Sequence, residues 1–230
     1  MAALPADDAE RLALVRRALF SSVIGDVLDK MGLLHQFLPP QIRPLAPEMA
    51  VVGRAMPVIE ADFFADAEQG AGPLGGRPFG LMLQALDDLK PGEVYLASGT
   101  RSAYAMWGEL MATRAQALGA AGVVVDGYSR DTRGILALGF PTFSHGSYGQ
   151  DQGARGKVVD FRVGVEIGGV RIAPGDLIVG DLDGVVAVPR AAEDEALARA
   201  LEKVAGENRV AEAIRAGMST VEAFETFGVM

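Results

Sequence analysis

Glu109, Arg130 and Asp131 are the residues whose types and spacing suit chemistry on a small anion. An arginine offers two parallel hydrogen bonds to a carboxylate or to a developing oxyanion. Asp131 and Glu109 are hard oxygen donors, too few for a calcium cage. They suit Mg²⁺ or Mn²⁺, which keep several waters and take further ligands from a substrate. Gly108 lets a ligand approach the backbone closely. A helix beginning at Glu109 would leave the N–H groups of Leu110 and Met111 without intrahelical partners, at the positive end of its dipole. A plainer reading stays open, in which Glu109 is an acid favoured at a helix start and Arg130–Asp131 a solvated turn pair.

The elements that must position these residues lie close by. A helix over 109–118 runs about 15 Å. A short turn follows, and a strand over 122–126 returns about 16 Å. The two lengths cancel, so the helix start and the strand end finish on one edge of the sheet. Open α/β folds place their ligands at that carboxyl edge. The surrounding pattern is β-α-β-α-β: strand VYLAS (94–98), the helix, strand GVVVD, helix DTRGILAL (131–138) and strand PTFS. Such alternation predicts a partly parallel sheet covered by helices.

Upstream, the apolar spacing predicts a helix over 7–20 and a second one ending at Gly32, with Ser21 and Ser22 offering its caps. Four prolines between 37 and 47 make an irregular connection, before a strand over 49–59 and a helix over 81–89. Downstream of Gly156 come short strands, with a hairpin at Gly168–Gly169. A long charged helix over about 190–216 and a short one over 219–226, capped by Ser219, complete the chain. The reading is one α/β domain over 1–230: N-terminal helices 7–31, a core 49–189 with a β-rich second layer, and C-terminal helices 190–226.

The 230 residues are enough for a real core without staples. Half are apolar and 22% are charged, an ordinary globular balance. Twenty-one Lys and Arg stand against 30 Asp and Glu, a formal −9. That argues against a nucleic-acid partner, because binding to a phosphate backbone rests on basic surface. The absence of cysteine removes disulfides, thiolate metal sites and a Cys nucleophile. The first twenty residues place acids before the apolar run, the wrong order for a secretory signal. The longest run of apolar residues and glycine, ALGAAGVVV, is too short to span a membrane. A cytoplasmic chain with no membrane partner is expected.

Other motifs carry less. Gly70, Gly72 and Gly75 match G-x-G-x-x-G in letters, but no strand runs into them, and Pro73 and Pro78 interrupt the helix that should follow. His35 and His145 lack the neighbours of a metal pair, although His145 could line a site. Asp181 and Asp183 in GDLDG read as turn-makers before a buried strand. Asp62, Asp66 and Glu68 precede the glycine loop as solvated acids or as lining of a mouth. Tyr104 and Trp107 flank the proposed pocket or belong to the core.

The string from Gly108 to Asp131, an acid, twenty residues and then Arg-Asp, resembles the RraA-like family. That family includes the 4-hydroxy-4-methyl-2-oxoglutarate aldolases, which are class II pyruvate aldolases. GDLDGVVAVP at 180–189 is similar to a further hallmark of the family. The resemblance implies an α/β/β sandwich of the swivelling-domain type, assembled as a homotrimer or homohexamer with sites at subunit interfaces. It implies a divalent metal, Mg²⁺ or Mn²⁺, held directly by Asp131, and a 2-oxo acid substrate held by Arg130 and by Gly108 to Met111. Glu109 stands where the aldolases commonly carry Asp and would act on the metal through water. Glu207 or Glu202 from a neighbouring copy would complete the metal shell. The implied activity is C–C cleavage releasing pyruvate, by retro-aldol cleavage of a 4-hydroxy-2-oxo acid or decarboxylation of oxaloacetate. The alternative from the same resemblance is a regulatory protein that binds and inhibits an endoribonuclease.

Overall fold

A computed structural model describes residues 4–63 and 72–228. The chain runs through helices α1 (Asp8–Ala18) and α2 (Ser21–Lys30), strands β1 (Arg43–Pro44) and β2 (Val51–Asp62), and helix α3 (Met82–Asp87). Strands β3 (Glu93–Ala97) and β4 (Ala105–Trp107) precede α4 (Glu109–Ala117), β5 (Gly122–Val125), β6 (Tyr128–Ser129), α5 (Thr132–Leu138) and β7 (Thr142–Ser144). Then come β8 (Gly156–Phe161), β9 (Val165–Ile167), β10 (Val170–Ile172), β11 (Leu177–Asp181) and β12 (Gly184–Val188). Helices α6 (Glu193–Arg215) and α7 (Thr220–Phe227) follow.

Among the described residues, eight strands form one mixed sheet in the order β1-β7-β5-β3-β2-β11-β12, with β8 also on β2. Strands β2, β3, β5 and β7 run parallel. β2 is long enough to serve two partners along one edge: Val51–Arg54 pair antiparallel with β11, and Val58–Asp62 with β8. The strand expected over 49–59 is displaced toward its C-terminus because β8 supplies three more residues with a ladder.

Both faces of the sheet are covered, which explains why its strands are continuous apolar runs rather than alternating ones. Successive side chains alternate between layers. Tyr95, Ala97, Val123 and Val125 face α3, α4 and α5, while Val94, Leu96 and Val124 face the β9–β10 hairpin. Fully burying each such aliphatic side chain contributes about 2 kcal/mol. Ala112 and Ala115, both completely buried, let α4 lie close on the sheet. A third apolar cluster joins α1, α2 and α6 to β11, β12 and the start of β2. The partly parallel, helix-covered sheet expected from the alternation is observed, and with the β9–β10 hairpin on its other face it makes the α/β/β sandwich that the resemblance implies.

Arg54 of β2 ties the two ends of the chain to the sheet. Its Nη1 donates to Glu193 Oε2 at 2.5 Å and its Nε to Asp8 Oδ2 at 3.0 Å. Burial raises the Glu193 carboxyl, but hydrogen bonds from Arg54 and Arg11 outweigh it and hold the group below its ordinary value. The hydrogen bond from Arg54 likewise lowers Asp8.

Ser21 and Ser22 do not cap α2. Both lie inside it, and Phe20 holds the cap position without a side-chain bond. Ser21 instead bonds through N and Oγ to the Asp181 carboxylate, 2.6 Å each. Asp181 also accepts from Asp183 N at 3.0 Å, so this aspartate makes its turn and anchors a helix start. Ser219 caps α7 as expected, accepting from Glu222 N.

Candidate active site at the start of helix α4

Two short strands that periodicity did not reveal build the site. β4 and β6 pair in parallel, and Arg130 N donates to Trp107 O at 2.9 Å. The residues that follow each strand, Gly108 and Arg130–Asp131, therefore sit side by side. They open α4 and α5 respectively, with Gly108 and Asp131 as N-caps. The helix start and strand end do meet on one edge of the sheet.

Gly108 is extended (φ −150°), so its backbone would suit any residue; its neighbours would not. A Cβ there would lie 2.9 Å from Asp131 Oδ2 and 3.5 Å from Arg130 Cγ. Asp131 adopts a left-handed conformation, φ 57° and ψ 34°, which is costly for a residue other than glycine. It caps α5 without using its side chain, so the half-exposed carboxylate stays available. Strain at a residue that withholds its cap is the local signature of this site.

Arg130 spans two acids. Its Nη1 lies 2.9 Å from Asp151 Oδ1 and its Nε 3.6 Å from Asp131 Oδ2. Asp151 comes from the loop before β8 and bridges to Ala105 of β4. Sequence reasoning missed it, since nothing in the stretch YGQDQG carries a motif. Its signal is tertiary.

Arg130, Asp131, Asp151 and Gln152 form the polar side of a cavity of about 330 Å³. Gly108, Leu110 and Met111 line it from α4, Met106 and Trp107 from β4, and Met82, Leu83 and Leu86 from α3. Trp107 is core and cavity wall at once: 1% exposed, it stacks on Phe140 with ring centroids 6.1 Å apart. Of Gly108 to Met111, Arg130 and Asp131, all but Glu109 line the cavity. Its carboxylate folds against α5, where a Cβ at Gly134 would come 2.1 Å from Glu109 Cδ.

The remaining candidates fall elsewhere. His145 Nε2 pairs with Asp126 Oδ1 at 2.9 Å beneath Tyr128, and His35 lines a separate open groove beside β9 and β10. Glu207 is held by Lys203 within α6, and Glu202 lies on the same helix; neither lines the cavity. Asp62 accepts from Arg101 N at 3.1 Å. Gly70, Asp66 and Glu68 lie outside the described residues, while Gly75 N donates to Gly72 O in a turn. Glu60 of β2 is buried, with Oε1 unpartnered. Burial pushes its carboxyl up to about 8, with Asp62 adding to the rise and the Tyr104 hydroxyl opposing it.

Among the described residues no cluster of three or more His, Asp or Glu could hold a metal by itself. The donor set is the half-exposed Asp131 carboxylate, which faces Arg130 at 3.6 Å and makes no cap bond, with Asp151 held by Arg130 beside it. That set fits an ion that stays largely hydrated and completes its shell with substrate oxygens, as Mg²⁺ does.

The RraA-like family model, described as Aldolase/RraA, matches residues 21–187. The chain belongs to the RraA-like family. It is 33% identical over 211 residues, covering 90% of each chain, to a protein of Halalkalibacterium halodurans provisionally named 4-hydroxy-4-methyl-2-oxoglutarate aldolase. An uncharacterized protein from Pseudomonas syringae superposes with TM-score 0.83 at 28% identity, covering 99% of this chain and 100% of the other. Streptomyces coelicolor RraAS2, described as an unusual member of the RNase ES inhibitor RraA family, shares the fold with TM-score 0.76 at 23% identity, covering 92% and 99%. The resemblance read from Glu109…Arg130-Asp131 and GDLDGVVAVP is thus family membership.

Proposed function

We propose that this RraA-like protein is a divalent-metal-dependent lyase that cleaves a C–C bond of a 2-oxo acid and releases pyruvate. The observation that carries the reading is the meeting of Arg130, Asp131 and the start of α4 in one cavity, with Asp131 in a left-handed conformation and its half-exposed carboxylate unused as a cap. The name of the Halalkalibacterium relative supports it. When bound at Asp131, Mg²⁺ or Mn²⁺ supplies Lewis-acid stabilisation of the charge left by bond cleavage.

The chain's own groups do the rest. Arg130, held in place by Asp151, neutralises the substrate carboxylate. The free N–H groups of Leu110 and Met111 face the pyruvyl end. Glu109, turned toward α5, works through a water that takes the proton from a C4 hydroxyl. Decarboxylation of oxaloacetate needs no such base and is the more robust activity. By family resemblance the protein acts in the cytoplasm as a homotrimer or homohexamer, with Glu207 or Glu202 of the partner subunit reaching the ion. Among the described residues no helix is long and apolar enough to cross a membrane.

The test is pyruvate release from oxaloacetate and from 4-hydroxy-4-methyl-2-oxoglutarate, each with Mg²⁺, with excess chelator, and with Asp131→Ala. Release that needs the metal and disappears with Asp131→Ala, and falls at least a hundredfold with Arg130→Ala, is expected. Release no faster than metal alone in solution, from either compound, refutes the lyase. The protein would then be assayed as an endoribonuclease inhibitor, the role stated for the family of RraAS2.

A further inference from the structure

The cavity is divided by chemistry. One side carries Arg130, Asp131, Asp151 and Gln152; the other is made of side chains from α3, β4 and α4 with no charge among them. Two leucines stand at its rim, Leu110 at 84% exposure and Leu83 at 56%. Among the described residues of this chain, Arg130 is the one cation that lines the cavity, and Asp151 already holds it at 2.9 Å. Arg155 is turned to the Asp151 carbonyl at 2.9 Å and does not line the cavity. Gln152 Nε2 is buried without a partner, a neutral donor suited to a hydroxyl or carbonyl oxygen.

These observations bear on the far end of the substrate. Arg130 and the Asp131 ion together satisfy one carboxylate. A second carboxylate on the tail would meet Asp151 or an apolar wall, and an unpaired charge against such a wall is expensive. An apolar tail instead removes the exposed Leu83 and Leu110 from water. At about 330 Å³ the cavity is at the small end of ligand sites, enough for a short chain beyond the pyruvyl unit.

We propose that the substrate is a 4-hydroxy-2-oxo acid with a single carboxylate and an apolar substituent on C4. This rests on the lyase reading and narrows it. The C3–C4 bond breaks and its electron pair stays on C3 as pyruvate enolate. The C4 hydroxyl gives up its proton and becomes the carbonyl of an uncharged, hydrophobic aldehyde, and C3 then takes a proton to give pyruvate.

The experiment has three arms, all with the full chain and Mg²⁺. Exchange of pyruvate methyl protons in D₂O, followed by NMR, tests enolate formation without any tail. Cleavage of 4-hydroxy-2-oxooctanoate is compared with that of 4-hydroxy-4-methyl-2-oxoglutarate. Calorimetry compares 2-oxobutanoate, 2-oxohexanoate and 2-oxooctanoate with 2-oxoglutarate. The expected results are a kcat/KM at least tenfold higher for the octanoate and affinity rising two- to fourfold per methylene. Leu83→Arg, at an exposed position, should keep the melting temperature and reverse the preference toward the dicarboxylate. Exchange together with equal or better use of the dicarboxylate overturns the proposal and leaves the lyase standing. A Leu83→Arg variant that shifts only the oligomeric state also overturns it, by making the leucines an interface. No exchange, no binding and no cleavage refute both.

Discussion

A side chain at Gly108 would press on the Asp131 carboxylate, since its Cβ would lie only 2.9 Å from Oδ2. The contact couples the start of α4 to the carboxylate proposed to hold the metal. Gly108→Ala should therefore displace that carboxylate by a few tenths of an ångström while the extended backbone at 108 accepts alanine. Pyruvate release should drop at least tenfold, with the melting temperature within about 2 °C of the parent. Unchanged turnover would separate Gly108 from the site.

Asp131 sits in a conformation that glycine adopts freely. Asp131→Gly removes strain of about 1 kcal/mol or more and loses a similar amount to chain entropy. Stability by urea denaturation should stay equal or rise by up to about 1 kcal/mol, while metal-dependent turnover vanishes. A variant that is both inactive and clearly less stable would mean that the carboxylate holds the fold.

Asp151 keeps Arg130 pointed into the cavity through a 2.9 Å contact between half-exposed groups. Asp151→Asn preserves shape and removes the charge. Arg130 should then turn toward Asp131, so KM for a 2-oxo acid should rise about tenfold while kcat changes less. Steady-state kinetics at saturating Mg²⁺ would read the split, and an effect on kcat alone would count against a positioning role.

Glu60 gives the fold a sensitivity to alkali. Its carboxyl is raised to about 8, so between the ordinary carboxylate range and 8 the folded chain holds a proton that the unfolded chain has released. Its contribution is complete at low pH, declines as pH climbs, and is fully lost above about 8. Glu60→Gln should be more stable than the parent at pH 9, by a few kcal/mol at most, and equal to it near pH 4. Melting curves across that range would show it; parallel profiles would contradict the assignment.

Arg54 does the opposite at the acid end. Asp8 and Glu193 are both held below their ordinary values, so the stability that they contribute persists above the carboxylate range and is lost as pH falls through their folded values. Arg54→Ala should cost about 3 kcal/mol near neutrality, because Glu193 stays buried with its main partner gone. It should also flatten the acid limb of a pH–stability profile measured by chemical denaturation.

The sequence alone determined the local elements and the edge on which the site forms. Runs such as GVVV declare a strand buried on both faces, and the equal lengths of α4 and β5 bring Glu109 and Arg130–Asp131 to one end. These are short-range facts, written in periodicity and spacing. Tertiary structure decided what those residues face. Asp151 joins Arg130 only because the loop before β8 crosses to β4, a bridge between Ala105 and Asp151 whose segments share no pattern. Glu109 turns away because Gly134 leaves room for it, and Ser21 bonds to Asp181 across 160 residues rather than capping its own helix. The left-handed backbone at Asp131 and the apolar wall opposite it are likewise products of packing. Backbone preference acts within a few residues, whereas the direction of a side chain is settled by whichever distant segment fills the space beside it.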